Sequence, residues 1–172
     1  MMRLHLEKTR MENEEGLNHL WVEIMDSAVC DVRIHIDLPE GLLRLPNLTG
    51  HEESDSGTIF LDGPLKERDV LVEFFTEEAV TPGRCEIIVV MDYRDAHNRE
   101  QSMIRTVVLE WVEETQWEEI VINDDVAGRV KPMRSMSLQR KDHGDEWIVL
   151  VPPGTGMRGE MSELEKKYRI DY

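Results

Sequence analysis

Apolar and polar residues alternate most cleanly over residues 29–38 (VCDVRIHIDL). Cys30, Val32, Ile34, Ile36 and Leu38 fall on one face, and Asp31, Arg33, His35 and Asp37 on the other. A period of two held this long predicts a strand with one face in a core and the other in water. Pro39 ends it, because proline has no N–H to give a ladder. Residues 3–8 place Leu4 and Leu6 together, and residues 18–25 place Leu20, Val22 and Ile24 opposite His19, Trp21, Glu23 and Met25. Residues 58–61 and 70–75 read as short strands. Residues 84–93 are apolar on both faces from Ile87 to Val90, the pattern of a central strand, and 102–112 return as the next strand after a polar hairpin loop at 94–101.

Polar segments punctuate these strands: MENEEG at 11–16 as a turn, 26–28, 62–69, and TPG at 81–83. Residues 40–57 read as an irregular stretch ending in an acidic loop at 50–57. Strands at this spacing, with no helical period between them, predict an antiparallel sandwich rather than βαβ units. Its core should hold Leu20, Val22, Ile24, Val32, Ile34, Ile36, Val72, Phe74, Ile87, Val89, Val107 and Leu109.

The remainder, 114–172, reads as an extension packed on a sandwich domain of residues 1–113. Residues 117–124 extend the last strand, and 133–139 and 146–151 are expected to pair as a β-hairpin. Residues 151–159 are loop, and Ser162 with Glu165 has capping-box spacing ahead of a short helix over 163–170. The fold class expected is therefore mainly β: an immunoglobulin-like antiparallel sandwich, a C-terminal β-hairpin extension and a short C-terminal helix.

The Leu38-Pro39-Glu40-Gly41 strand end, and the Pro82-Gly83 that introduces a strand closing on Tyr93, resemble prokaryotic immunoglobulin-like accessory modules related to the cell-adhesion-related bacterial domain. The resemblance covers roughly residues 3–113. It implies a seven-stranded Greek-key sandwich, usually exported and joined to larger proteins, and carries over no catalytic residue.

The chain has 172 residues, and its 20 basic and 36 acidic side chains give a formal net charge of −16. That surplus argues against nucleic acid and anionic membranes as partners, since phosphate contacts need cations. No apolar run reaches the ~18 residues of a membrane span, and the start, MMRLHLEKTR, does not read as a signal peptide. A cytoplasmic location is the expectation. Cys30 and Cys85 are too few for a disulfide framework and are expected as buried thiols, with a disulfide or a reactive thiol as alternatives. The Asn47-Leu48-Thr49 sequon is expected to be chance.

Candidate chemistry is sparse. Residues 147–160 (WIVLVPPGTGMRGE) resemble a phosphate-binding loop, but Met157 stands where its Lys should be and Arg158 where its Ser or Thr should be. The histidines are His5, His19, His35, His51, His97 and His143, without the spacing of a helical metal pair. His19 and His35 lie on the polar faces of successive predicted strands, so a metal pair with Glu23, Asp31 or Asp37 is an alternative to structural histidines. The acidic loops 50–57 and 142–146 are solvated loops or weak Ca²⁺ sites. No nucleophile motif occurs, and nothing nominates a carboxylate pair.

The stretch 127–141 carries Arg129, Lys131, Arg134, Arg140 and Lys141 and no acid. It reads as a solvated hairpin, as a segment docked on the chain's own acidic surface within one chain or across a dimer, or as a contact for nucleic acid or an acidic partner, although the absence of interleaved aromatics disfavours base stacking. Of Trp21, Trp111, Trp117 and Trp147, burial under the C-terminal extension is the main expectation, with an exposed interface pair as the alternative. The function expected is a non-enzymatic protein-protein interaction module, an accessory subunit or adaptor that binds a protein partner or self-associates, with no cofactor. The alternative is a small-ligand or metal-binding β-sandwich protein.

Overall fold

A computed structural model of the chain describes residues 1–25, 29–61, 69–113 and 120–140, with side chains through Met133. Ten strands form there: β1 (Met2–Leu6), β2 (Arg10–Glu12), β3 (Leu17–Ile24), β4 (Cys30–Asp37), β5 (Leu42–Arg44), β6 (Glu52–Glu53), β7 (Ile59–Leu61), β8 (Val70–Thr76), β9 (Gly83–Arg94) and β10 (Glu100–Val112). A helix, α1 (Asp124–Arg140), follows. The strands make two sheets, one of four in the order β1-β3-β8-β5 and one of six in the order β2-β10-β9-β4-β7-β6. Every pairing is antiparallel except β2 beside β10. The first stretch of chain is thus divided, β1 joining one sheet and β2 the other.

One apolar cluster draws on both sheets. Leu20, Val22, Val72 and Phe74 enter it from the four-stranded sheet, and Val32, Ile34, Ile36, Ile87, Val89 and Leu109 from the six-stranded sheet. Ile24 and Val107, also expected in the core, are only partly buried against it. Ile24 ends β3, and Val107 lines an open groove beside β1, so each lacks cover on one side.

Short strands escaped the periodicity. The expected turn at 11–16 contains part of β2, which pairs with Glu110–Val112 and buries Met11 completely. Met11 is the one apolar residue of its three, too little to register as a strand pattern. The turn after it needs glycine: a Cβ on Gly16 would stand 2.2 Å from the Glu12 carbonyl oxygen. The Gly16 N–H donates to Thr76 Oγ1 at 2.8 Å and its carbonyl accepts from the Thr76 N–H at 3.0 Å, which ties the turn to β8. The stretch read as irregular, 40–57, contains β5 and β6.

Cys30 is exposed rather than buried, and Cys85 is half-buried. The register of β4 on β9 shifts between Cys30 and Arg33, with Asp31 at φ +50°. That bulge breaks the alternation that holds from Val32 to Asp37 and turns Cys30 out of the core. Cys30 lies opposite Arg94, nine positions along β9 from Cys85. At about 3.3 Å per residue the two thiols are roughly 30 Å apart, far beyond disulfide reach. Burial pushes the Cys85 thiol up.

The expected hairpin arm at 133–139 is helical instead; of the expected extension at 117–124, residues 120–124 do not continue β10, which ends at Val112, and 117–119 lie outside the described residues. Asn123 starts the helix: its Oδ1 accepts the Asp125 N–H at 3.1 Å and its carbonyl accepts the Ala127 N–H at 3.0 Å. Asp124 and Asp125 complement the positive end of the helix dipole. Val126, Val130 and Met133 form a short apolar stripe, and the first two are buried against Trp21 and Leu71. Gly128 and Pro132 interrupt the pattern, and Pro132 has no N–H for the Gly128 carbonyl. The other arm at 146–151 and the helix at 163–170 lie outside the described residues.

Candidate interaction surface

Register organises the outward face of the four-stranded sheet into rows. One row is His5, Trp21 and Leu71, from β1, β3 and β8. The next is Glu7, His19 and Glu73, since the Glu7 N–H donates to the His19 carbonyl at 2.9 Å and His19 lies opposite Glu73. A third is Leu17, Phe75 and Leu43, with Leu43 exposed.

The first row is roofed by α1. His5 stacks on Trp21 with ring centroids 4.6 Å apart, and Arg129 lies over the same indole at 3.9 Å. Arg129 also pairs with Asp69 at 2.6 Å. Trp21 is therefore buried beneath the extension, and Trp111 is buried in the main core. Trp117 and Trp147 lie outside the described residues. Arg129, at least, serves the chain's own packing; Lys141 falls outside the described residues.

In the second row, His19 Nδ1 meets a Glu7 carboxylate oxygen and Nε2 meets Glu73 Oε2 at 2.9 Å. The carboxylates sit at opposite edges of the ring, so they do not converge on one point. His35 is on β4 in the other sheet, alternating with core residues Ile34 and Ile36 on that sheet's outward face, and pairs with Asp37 at 2.9 Å. The core separates His19 from His35, and the metal pair proposed from sequence is not formed. Among the described residues no group of three or more His, Cys, Asp or Glu side chains is placed to hold a metal.

The acidic loop 50–57 is closed on itself. Asn47 Nδ2 donates to the His51 carbonyl at 2.9 Å and to Glu53 Oε2 at 3.1 Å, and its Oδ1 accepts from Thr49 Oγ1 and the His51 N–H, both at 2.9 Å. The amide of the sequon is therefore consumed in holding the loop. Arg44 Nη2 donates to Glu53 Oε1 at 2.5 Å. Burial pushes the Glu53 carboxyl up, but the hydrogen bonds from Arg44 and Asn47 outweigh it and leave it below the usual range. A carboxyl held low stabilises the fold above its unfolded pKa and loses that contribution as pH falls through the folded one. Glu53→Gln should lower the melting temperature at pH 7 and flatten the acid limb between about pH 5 and pH 3, read by thermal melts across pH. An unchanged acid limb would contradict this role. The loop at 142–146 lies outside the described residues.

A cleft of about 340 Å³ lies over Arg33, Asp92 and Gln101, and its acids Asp31 and Glu100 lie 3.6 Å and 3.5 Å from Arg94. A second groove, of about 440 Å³, runs between β1 and β10. Both its walls are sheet edges. β1 ends the four-stranded sheet, and β2 covers β10 only at Glu110–Val112. The rest of β10 has no strand on that side among the described residues, and Ile104 and Val108 there are 59% and 49% exposed. Sequence reasoning found β10 as a strand but not its open edge, which results from the division of the first strand between sheets.

No family model matches the chain. No curated protein matches it either. Among solved structures it aligns with a variant of BcpA, the major pilin subunit of Bacillus cereus, at 8% identity and a TM-score of 0.37, over 64% of this chain and 41% of the pilin. The chain thus spans less than half the length of that structure. No described helix is long and apolar enough to cross a membrane.

Proposed function

We propose that the chain is a non-enzymatic protein-protein interaction module, an accessory subunit or adaptor, on an immunoglobulin-like sandwich. The strand orders support the sandwich: β1-β3-β8 corresponds to an A-B-E sheet and β10-β9-β4 to a G-F-C sheet, while β5 and β7 flank them in the reverse of the D and C′ chain order. The cysteine pair and the strand-C tryptophan of antibody domains have no counterparts, since β4 carries no Trp. The observation that carries the function is the long edge of β10 that no strand covers among the described residues, with exposed Ile104 and Val108 beside it. Soluble folds usually shield such an edge, because its unpaired N–H and C=O groups template another strand.

The test is capture from native lysate at moderate salt, with the purified chain as bait and mass spectrometry as readout. One protein recovered in near-stoichiometric yield is the expected result. A bait that returns alone, as an inert monomer, would overturn the reading.

A further inference from the structure

We infer that the open edge of β10 takes an extended acidic peptide segment of a partner protein as an added strand, seated in the groove between β10 and β1; this rests on the interaction-module reading above. Hydrogen-bond parity identifies the docking atoms. The Asp95 N–H donates to the Arg99 carbonyl at 3.0 Å, in register with the β9–β10 ladder, so odd-numbered residues of β10 bond to β9. Even-numbered residues point the other way, as the Glu110 N–H donating to the Thr9 carbonyl at 3.0 Å shows. Beyond β2, the backbone groups of Ser102, Ile104, Thr106 and Val108 therefore face the open edge, where the Arg105 guanidinium donates to the Ile104 carbonyl at 3.0 Å and must swing away for a strand to dock there.

The opposite wall is built the same way. The bond from the Met25 N–H to the Met1 carbonyl and that from the Glu7 N–H to the His19 carbonyl turn odd-numbered residues of β1 toward β3. The backbone groups of Met2 and Leu4 consequently point away from β3.

Side chains select the occupant. Arg3, Leu4 and His5 line one wall and Arg105, Thr106 and Val107 the other, and no Asp or Glu lines the groove, although the chain has 36. A strand laid on β10 alternates its side chains between two environments. On the outward face they meet Ile104 and Val108; on the groove side they meet Arg105 and Arg3. The fitting segment alternates apolar residues with Asp or Glu. A second copy of β10 fits less well, because it would bring Arg105 rather than a carboxylate to the cationic side, and both copies carry a charge of −16.

A random decapeptide library displayed on phage, panned on the purified full chain, tests this. Enriched sequences should alternate apolar and acidic residues. As synthetic peptides they should bind Thr106→Pro about tenfold or more weakly than the parent. Thr106 gives its N–H to the open edge and not to β9, so proline leaves the β9–β10 ladder intact. Ile104→Lys, at an exposed side chain, is the second variant and should also weaken binding. The Arg3→Glu, Arg105→Glu double variant should shift the selected charge from acidic to basic.

Enrichment without an acidic bias, or peptides that bind both single variants as tightly as the parent, would overturn the inference. So would a dimer of the chain that Thr106→Pro dissociates. If lysate capture succeeds equally with parent and variants, the module reading stands and the β10 site falls; if capture by the parent returns nothing, the module reading itself falls.

Discussion

Phe74→Ala will lower the unfolding free energy by about 3–5 kcal/mol, the range for emptying a buried aromatic site. Phe74 is fully buried and sits in β8 between β3 and β5, opposite Asn18 and Arg44. Its ring faces the cluster shared by the two sheets, where strands on both sides hold the backbone and limit collapse into the void. Total stabilities of single domains are about 5–15 kcal/mol, so this one change removes a large share. With a slope of about 2 kcal/mol per molar urea, the midpoint falls by roughly 2 M while the slope stays constant. The adjacent Phe75 is the control: it lies on the outward face, is half-buried, and its loss should cost well under half as much. Equal losses at the two positions would contradict the assignment of faces in β8.

His19→Leu will cost about 2–3 kcal/mol, although leucine is the more apolar residue. The His19 side chain is 4% exposed, and its carboxylate partners Glu7 and Glu73 are 15% and 12% exposed. Leucine takes away both ring contacts and leaves two poorly solvated carboxylates in one row, no longer bridged by the ring. The loss therefore comes from the carboxylates, and adding Glu7→Gln and Glu73→Gln to His19→Leu should restore most of the stability. A double-mutant cycle between positions 7 and 19 should show coupling of about 1 kcal/mol or more. Strictly additive losses would mean that the row carries no such interaction.

Alternation was enough to find β1, β3 and β4, and apolar runs to find β7, β8, β9 and β10, because each of these strands puts side chains into the core. β2, β5 and β6 have two or three residues, too few for a period of two, and lack the wholly apolar run, Ile59-Phe60-Leu61, that marked the equally short β7. The helix was hidden by its charge: Arg129 and Lys131 drew a reading based on net positive charge, while the start signal at Asn123 and the Val126–Val130 spacing lay beside them.

The His19 row was half legible. The polar face of β3 could be read locally, but Glu7 and Glu73 join it only through register with two other strands. Pairing His19 with His35 failed because consecutive strands of a two-sheet fold often cross from one sheet to the other, as β3 and β4 do. The open edge was invisible for a related reason. An edge is a property of sheet order, and this one exists because β1 and β2, a few residues apart, enter different sheets.

Amide hydrogen exchange along β10, resolved by ¹H–¹⁵N NMR on the isolated chain, tests the central claim most directly. The N–H groups of Met103, Arg105, Val107 and Leu109, bonded to β9, should exchange slowly, and those of Ser102, Ile104, Thr106 and Val108 quickly. A two-residue alternation in protection is the result predicted for an uncovered edge. Uniformly slow exchange from Ser102 to Leu109 would show the edge already covered in the isolated chain, and would contradict the account of it as a docking surface.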